Sequence, residues 1–248
     1  MKTKMIRFCL LLGLSALAVV APAVAAKAET VTSNRVVLVH GLGRSSLSLW
    51  LLEKRLLDAG FEVVALDYAS LSQGADAALA QVQKQMQHCC ADDQRLHFVG
   101  YSLGGLMVRG FLADPNNQSF LQRLDQVVMI GTPNHGTRAV NAVADQVWFK
   151  LLGETTAALG YGEQGFAHQL PQPQFQAGII AGNSSWGMAD AILAEPSDGL
   201  VPVSSTQLAN MADFLLVNAN HSMLRYNTIA AQETIYFLRH GVFSHQWD

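Results

Sequence analysis

One stretch decides the fold of this chain: Arg95-Leu96-His97-Phe98-Val99-Gly100-Tyr101-Ser102-Leu103-Gly104-Gly105. Its first half, Arg95–Val99, is a short apolar run that predicts a buried strand. Its second half opens a predicted helix, Leu103–Ala113, which stops before Asp114-Pro115. The turn between them has the pattern Gly-x-Ser-x-Gly, in which small residues let strand and helix pass closely. Such a turn pushes the serine hydroxyl out above the edge of the sheet, so Ser102 is a candidate nucleophile.

Similar apolar runs recur along the chain and predict a sheet of about six strands. Several are continuous Val, Ile and Leu runs, which are typical of strands buried on both faces of a parallel sheet. Predicted helices separate them, and this alternation favours a mostly parallel, doubly wound α/β sheet. The predicted strands are Arg35–Val39, Phe61–Leu66, Arg95–Val99, Gln126–Ile130, Ala177–Ala181 and Phe214–Val217. The predicted helices are Ser46–Ala59, Asp76–Gln87, Leu103–Ala113 and Ser222–Arg239.

One segment interrupts this alternation. Residues 134–176 lie between two predicted strands, and they exceed by far the usual connection of about 4–6 residues. The segment contains large apolar side chains, among them Trp148, Phe149 and Tyr161. Two interpretations stand beside each other: a cap over the site, or an ordinary pair of packing helices. We predict one domain over residues 26–248 that carries this segment as a cap insertion.

A serine hydroxyl is a poor nucleophile by itself and needs a neighbouring base. His221 closely follows the last predicted strand, so it belongs to the same edge of the sheet as Ser102. The acid that orients such a histidine is expected between the two in chain order. Asp198 is the candidate, because proline and glycine shape a loop that can direct its carboxylate back to the site. Asp190 and Glu195 are the competing acids, and a solvated surface position suits each of them.

Acyl transfer also needs backbone N–H groups that stabilise a developing oxyanion. Leu103, directly after the nucleophile, is expected to supply one, and Leu42 in the glycine-containing loop after the first strand the other. His40 then holds that loop as a structural residue. The same loop invites comparison with a dinucleotide-binding fingerprint, but Ser46 stands where the third glycine belongs, and no Walker lysine is present.

The first residues have the pattern of an export signal. Three cations fall within the first seven residues, and the apolar run Phe8–Val20 follows them. Ala23-Val24-Ala25 fits a cleavage site, with Ala26-Lys27-Ala28 as a second option. We therefore expect residues 1–25 to be a signal peptide and the protein to be exported, to the periplasm or out of the cell. An uncleaved membrane anchor is the alternative, although the run is shorter than the ~20 residues that span a bilayer.

Composition narrows the function classes. Half of the residues are hydrophobic and 14% are charged, which supports a large buried core. The formal net charge of −3 offers no basic surface for a phosphate backbone, so nucleic-acid binding is not expected. No Cys or His spacing predicts a metal site. Cys89 and Cys90 are adjacent, with Cα atoms only ~3.8 Å apart, so the pair is expected either as free thiols or as a strained disulfide.

Several motifs together resemble bacterial lipases and lipase-like α/β-hydrolases, and they occur in the order of that family between about Arg35 and Gly241. The motifs are Val36-Val37-Leu38-Val39-His40-Gly41-Leu42-Gly43, Gly100-Tyr101-Ser102-Leu103-Gly104-Gly105, Gly131-Thr132-Pro133-Asn134-His135-Gly136-Thr137, Ser197-Asp198-Gly199-Leu200-Val201-Pro202-Val203 and Asn220-His221-Ser222.

The resemblance implies an α/β-hydrolase fold and cleavage of carboxylic esters through a Ser-His-Asp triad and an acyl-enzyme, with small-molecule esters or acyl lipids as substrates. No cofactor is implied. In secreted lipases of this kind an aspartate two residues after the histidine helps to bind calcium; because Met223 stands there, no metal is expected. The apolar cap implies transient contact with a lipid surface. Acyl transfer to an alcohol, amide cleavage, and a non-catalytic binding protein on the same scaffold are the alternatives.

Overall fold

The computed structural model describes residues 34–71, 73–143, 159–185 and 193–246, apart from the side chains of residues 141–143. The predicted signal peptide and the middle of the predicted cap insertion lie outside these residues. The competing acid Asp190 also lies outside them.

The described residues form a single six-stranded sheet in which every neighbouring pair of strands is parallel. The strand order is β2-β1-β3-β4-β5-β6. The strands are β1 Arg35–Val39, β2 Glu62–Leu66, β3 Leu96–Tyr101, β4 Leu124–Ile130, β5 Gly178–Gly182 and β6 Asp213–Val217. The prediction of a mostly parallel α/β sheet of about six strands is confirmed, and each strand begins and ends within two residues of its predicted bounds.

Helices connect the strands across the described part of the chain. They are α1 Trp50–Asp58, α2 Gly74–Cys89, α3 Leu103–Ala113, α4 Gln118–Gln122, α5 Arg138–Val143, α6 Phe166–Gln169, α7 Val203–Thr206, α8 His221–Leu224 and α9 Thr228–His240. Two 3-10 turns, Ser46–Leu49 and Pro115–Asn117, precede α1 and α4. Helix α3 has its predicted bounds. The C-terminal end of α1 approaches Gly60, whose φ of +89° suits a glycine that follows a helix.

The prediction of one continuous last helix, Ser222–Arg239, is wrong. The chain forms the short helix α8 and then the longer helix α9, separated by Arg225, Tyr226 and Asn227. Asn227 has an extended backbone, and its side chain accepts a hydrogen bond from the N–H of Ala230. This N-terminal cap starts a new helix, because asparagine satisfies an N–H that a first helical turn leaves unpaired.

The core lies on both faces of the sheet, because alternate strand residues point to opposite sides. Val36 and Leu38 of β1 join the cluster formed with α1 and α9. Val37 and Val39 join the cluster formed with α2 and α3. Every residue of β1 is buried, which explains why Val36–Val39 form a continuous apolar run instead of an alternating one.

The topology creates a crevice at one edge of the sheet. From β1 the chain moves outward to β2 and then returns past β1 to form β3 on its other side. The connections that leave β1 and β3 therefore diverge to opposite faces, and ligands in open α/β sheets bind at the carboxyl ends of such strands. The candidate residues Leu42 and Ser102 lie directly after these two strands.

Cys89 and Cys90 at the end of α2 form a disulfide, which resolves the two states left open by the sequence. Within residues 34–71, 73–143, 159–185 and 193–246, none of the helices combines the length and apolar character needed to span a bilayer.

Candidate active site

The turn between β3 and α3 places Ser102 in an unusual backbone conformation. Its φ is +55° and its ψ is −123°, values that residues with a side chain rarely adopt. The N–H of Ser102 donates to the carbonyl of Ile130 at 2.8 Å, and the N–H of Gly105 donates to the Ser102 carbonyl at 3.0 Å. These bonds hold the strained residue in place, and such strain is concentrated at functional sites.

Glycines make this turn sterically feasible. A Cβ on Gly104 would collide with the carbonyl of Val39, and a Cβ on Gly105 would collide with the side chain of Thr132. A Cβ on Gly100 would meet the backbone of Gly105 at 2.5 Å. Helix α3 therefore passes very close to the strands, as the small residues of the motif predicted.

His221 begins α8 and faces the serine. Its Nε2 lies 3.0 Å from the Ser102 Oγ, and its Nδ1 lies 2.7 Å from the Asp198 Oδ2. Since a carboxylate can only accept, Nδ1 carries the proton in the neutral ring and Nε2 presents its lone pair to the serine hydroxyl. The N–H of His221 also donates to the Asp198 carbonyl at 2.8 Å, and Asn220 caps α8 by accepting from the N–H of Met223.

Asp198 is 1% exposed and lies in a narrow loop between β5 and α7. An antiparallel bridge joins Ser197 to Pro202, so the chain reverses around the acid. The Asp198 Oδ1 accepts from the N–H groups of Leu200 at 3.0 Å and Val201 at 2.7 Å. Together with the imidazole, these two donors give both carboxylate oxygens a hydrogen-bond partner, which a buried polar group requires.

The other candidates take different positions. Glu195 is exposed and accepts a hydrogen bond from the Ser204 hydroxyl, away from the histidine. The three predicted residues Ser102, His221 and Asp198 thus form one hydrogen-bonded chain. Their catalytic roles remain a prediction at this point.

Both predicted oxyanion donors lie on backbone segments that border Ser102. Leu103 is the first residue of α3, where N–H groups have no partner within the helix. Leu42 follows Gly41, at which an added Cβ would lie 3.0 Å from the Ser102 Cβ and 3.1 Å from the Tyr101 ring. The loop after β1 therefore lies directly against the turn that carries Ser102.

His40 is fully buried and braces this loop. Its Nδ1 donates to the Gly41 carbonyl at 2.9 Å, and its Nε2 accepts from the N–H of Tyr68 at 3.3 Å. The Tyr68 hydroxyl donates to the His40 carbonyl at 2.7 Å, and the two rings stack with centroids 4.3 Å apart. Burial lowers the pKa of His40, which favours the neutral ring although the exposed carboxylate of Asp67 lies 3.3 Å from Nε2.

Sequence reasoning missed a buried arginine on α3. Arg109 donates through Nη1 to the carbonyl and side-chain oxygen of Asn134, and through Nη2 to the carbonyl of Pro171. Burial lowers the pKa of Arg109 to about 10, so its side chain remains cationic at neutral pH. It ties α3 to residues near both ends of the predicted cap segment, Asn134 and Pro171. Its signal in the sequence is one charge within the otherwise apolar run of α3.

Sequence reasoning also missed the contact that Tyr101 makes. The Tyr101 hydroxyl donates to the His221 carbonyl at 2.6 Å. A tyrosine directly before the nucleophile is visible in the motif, but its partner is 120 residues away.

No group of three or more His, Cys, Asp or Glu side chains is arranged to hold a metal ion among the described residues. Met223, at the position of the calcium-binding aspartate in the lipases that the sequence resembles, is exposed.

Known structures share this fold. The mature lipase BlEst2 of Bacillus licheniformis superposes with a TM-score of 0.66 at 17% identity, covering 84% of this chain and 91% of that one. Phospholipase PlaB of Legionella pneumophila gives a TM-score of 0.66 at 18% identity, covering 82% of this chain and 57% of that one. The metagenomic carboxyl esterase MGS0156 gives 0.57 at 17% identity, covering 79% and 66% respectively. These likenesses show the α/β-hydrolase fold.

The family model of the palmitoyl protein thioesterases matches residues 35–176, which include β1 to β4 and the Ser102 turn. The chain belongs to this family and is a hydrolase of the esterase and lipase type. The resemblance to lipase-like α/β-hydrolases is confirmed. No curated protein matches the chain in sequence.

The buried His40 makes the stability of the loop after β1 depend on pH. Because the pKa of His40 is lowered in the folded state, the unfolded chain binds a proton first as pH falls below about 6.5. The free energy of unfolding therefore decreases from about pH 7 to pH 5. We expect this decrease to be smaller in His40→Asn, whose side-chain amide can still donate to Gly41. Urea unfolding across this pH range measures both slopes, and equal slopes would contradict the assignment.

Proposed function

We propose that this protein is a serine hydrolase that cleaves acyl esters through a covalent acyl-enzyme. The observation that carries the proposal is the chain of hydrogen bonds from Asp198 through His221 to Ser102. This order of carboxylate, imidazole and hydroxyl is the arrangement that activates a serine nucleophile. The family membership supports the proposal independently, since its name denotes cleavage of acyl thioesters.

In the first step the Ser102 Oγ attacks the carbonyl carbon of the ester while the His221 Nε2 takes the hydroxyl proton. Asp198 orients the imidazole and stabilises the imidazolium that forms. The N–H groups of Leu42 and Leu103 donate to the oxyanion of the tetrahedral intermediate. Loss of one such donor commonly costs about 3 kcal/mol of transition-state stabilisation. The bond to the leaving oxygen then breaks as His221 returns its proton to it.

In the second step water replaces the leaving group. His221 takes a proton from the water as the oxygen attacks the acyl carbonyl, and the same backbone donors stabilise the second tetrahedral intermediate. Collapse of this intermediate releases the carboxylic acid and returns the proton to the Ser102 Oγ. An alcohol in place of water would give acyl transfer, and an amide in place of the ester would give amide cleavage.

Acyl lipids are the substrate class that we propose. The solved structures of the same fold include a lipase, a phospholipase and a carboxyl esterase, although their low identities restrict this support to the scaffold. The family match favours acyl thioesters as a second class. The same residues suit both, because a thiolate leaves more readily than an alkoxide and needs less help from His221.

We further propose that residues 1–25 direct export, which places the enzyme in the periplasm or outside the cell. The apolar residues of the segment 134–176 would then bring the site transiently to a lipid surface. Both proposals rest on the sequence pattern.

Substitutions within the hydrogen-bonded chain test the proposed function directly. We expect Ser102→Ala to lower turnover of a p-nitrophenyl acyl ester by ~10⁴ to 10⁶, and Asp198→Asn by about 10⁴, since each removes one member of a unit that acts together. Steady-state hydrolysis with thermal melting of each variant measures the effect.

Matched controls are available in the chain. Ser119→Ala changes an exposed serine on α4, and Glu195→Gln neutralises the exposed competing acid. Both are expected to retain wild-type turnover. Wild-type turnover by folded Ser102→Ala would contradict the proposed function, and a fluorophosphonate that leaves Ser102 unlabelled would instead indicate a non-catalytic binding protein.

The length of the acyl group tests the proposed substrate class. We expect long-chain acyl esters and thioesters to have a higher kcat/KM than the two-carbon analogues, because each CH₂ that enters an apolar site contributes about 0.8 kcal/mol. The measurement is a paired series of p-nitrophenyl esters and acyl-coenzyme A thioesters of increasing length. A kcat/KM that is highest for the acetyl compounds would contradict the assignment to acyl lipids.

A further inference from the structure

We propose that Tyr101 is a positioning residue that holds the general base against the nucleophile, and that Arg225 fixes the direction of the Tyr101 hydroxyl. This inference rests on the proposed function, since it assigns a role relative to His221 and Ser102. Tyr101 occupies the first variable position of the Gly-x-Ser-x-Gly turn, and the inference gives this position a function in the site.

The main chain of His221 is held on both sides. Its N–H donates to the Asp198 carbonyl at 2.8 Å, and its carbonyl accepts from the Tyr101 hydroxyl at 2.6 Å. Helix α8, which carries His221, has only four residues. A helix this short has little stability of its own, so contacts from elsewhere in the fold must set its position. The bond from Tyr101 is such a contact.

Tyr101 is well placed to set the distance between base and nucleophile, because it is the residue before Ser102 and the last residue of β3. In the sheet it is paired with Ile130, whose carbonyl also accepts from the Ser102 N–H. The same point of the central sheet therefore anchors the serine through the backbone and the histidine through the tyrosine side chain. The 3.0 Å separation of Nε2 and Oγ spans these two anchored groups.

The Tyr101 ring also limits the freedom of the imidazole. It is 2% exposed, and its centroid lies 5.4 Å from that of His221 with 34° between the ring planes. On its other faces it packs within the cluster between the sheet, α1 and α9. A ring fixed in this way cannot move aside without disturbing the core.

Arg225 determines which way the hydroxyl points. Its Nη1 lies 3.5 Å from the Tyr101 Oη, and its guanidinium lies 4.5 Å from the centroid of the Tyr226 ring. A guanidinium can only donate, so the Tyr101 oxygen accepts there and its proton is free for the His221 carbonyl. Burial raises the pKa of Tyr101 to about 12, so the hydroxyl keeps this proton at neutral pH.

Tyr101→Phe removes the hydroxyl and keeps the buried ring, so it tests the hydrogen bond to the His221 carbonyl separately from the ring contact. Removing the bond allows His221 to shift, and a misplacement of about 1 Å can cost ~10² in rate. We expect kcat to fall about 10- to 100-fold with KM nearly unchanged. The rate of fluorophosphonate labelling of Ser102 should fall in parallel, because it also depends on the aligned base.

A spectroscopic measurement separates positioning from a general loss of structure. The proton on His221 Nδ1, held by Asp198, is expected to give a downfield proton resonance in the wild type that Asp198→Asn removes. In Tyr101→Phe this resonance should move or broaden. Tyr236→Phe, which removes a hydroxyl from a partly exposed ring of α9, is the matched control and should retain the wild-type resonance, kcat and labelling rate.

Arg225→Lys and Arg225→Met complete the test and decide it alone if Tyr101→Phe does not fold. The lysine retains a cationic donor and should keep more of the kcat than methionine. A Tyr101→Phe enzyme with wild-type kcat, labelling rate and resonance overturns the inference, as do equal kcat values for the two Arg225 variants. If Tyr101→Phe behaves as the wild type while Ser102→Ala abolishes hydrolysis in the same assay, the role assigned to Tyr101 is wrong and the proposed function stands.

Discussion

The close approach of α3 to the sheet is the constraint on which the rest of the structure depends. Gly104 and Gly105 lie so near the end of β1 and the side chain of Thr132 that no Cβ fits there. The chain can therefore turn from β3 into α3 within one residue, and Ser102 is forced to a positive φ. This conformation lifts the hydroxyl above the sheet edge and points the first N–H groups of α3 toward it. A looser turn would give an ordinary buried serine.

Parallel strand order brings the remaining groups to the same edge. The loop after β1 lies against the turn, and the residues that follow β5 and β6 supply the acid and the histidine. Two hydrogen bonds join Asp198 and His221, one between their side chains and one from the His221 N–H to the Asp198 carbonyl. The acid therefore fixes both the orientation of the imidazole and the start of α8. The Tyr101 hydroxyl adds a third hydrogen bond from the end of β3, so Ser102, His221 and Asp198 form one connected unit.

The sequence was sufficient to predict the sheet and to place Ser102, His221 and Asp198 together at one edge of it. A strand buried on both faces, such as β1, is apolar over most of its length, and Val36–Val39 are visible as a continuous run. The glycines of Gly-x-Ser-x-Gly stand at positions where a Cβ would collide, Gly100 with the backbone of Gly105 and Gly104 with the carbonyl of Val39. His221 and Asp198 could be found because the carboxyl ends of parallel strands meet at one edge. The break between α8 and α9 depends on one capping residue, Asn227. The helical pattern of the residues on both sides of Asn227 hides this break in the sequence. The roles of Tyr101 and Arg109 depend on partners far away in the chain, which no local pattern encodes.

The most direct test of the account is a crystal structure of the protein inactivated by an alkyl fluorophosphonate. We predict a single phosphonyl group on the Ser102 Oγ, with its oxygen at about 2.7–3.1 Å from the N–H nitrogens of Leu42 and Leu103. His221 Nε2 should remain within hydrogen-bonding distance of the Ser102 Oγ. A phosphonyl group on another residue, or one on Ser102 whose oxygen faces away from both N–H groups, would contradict it.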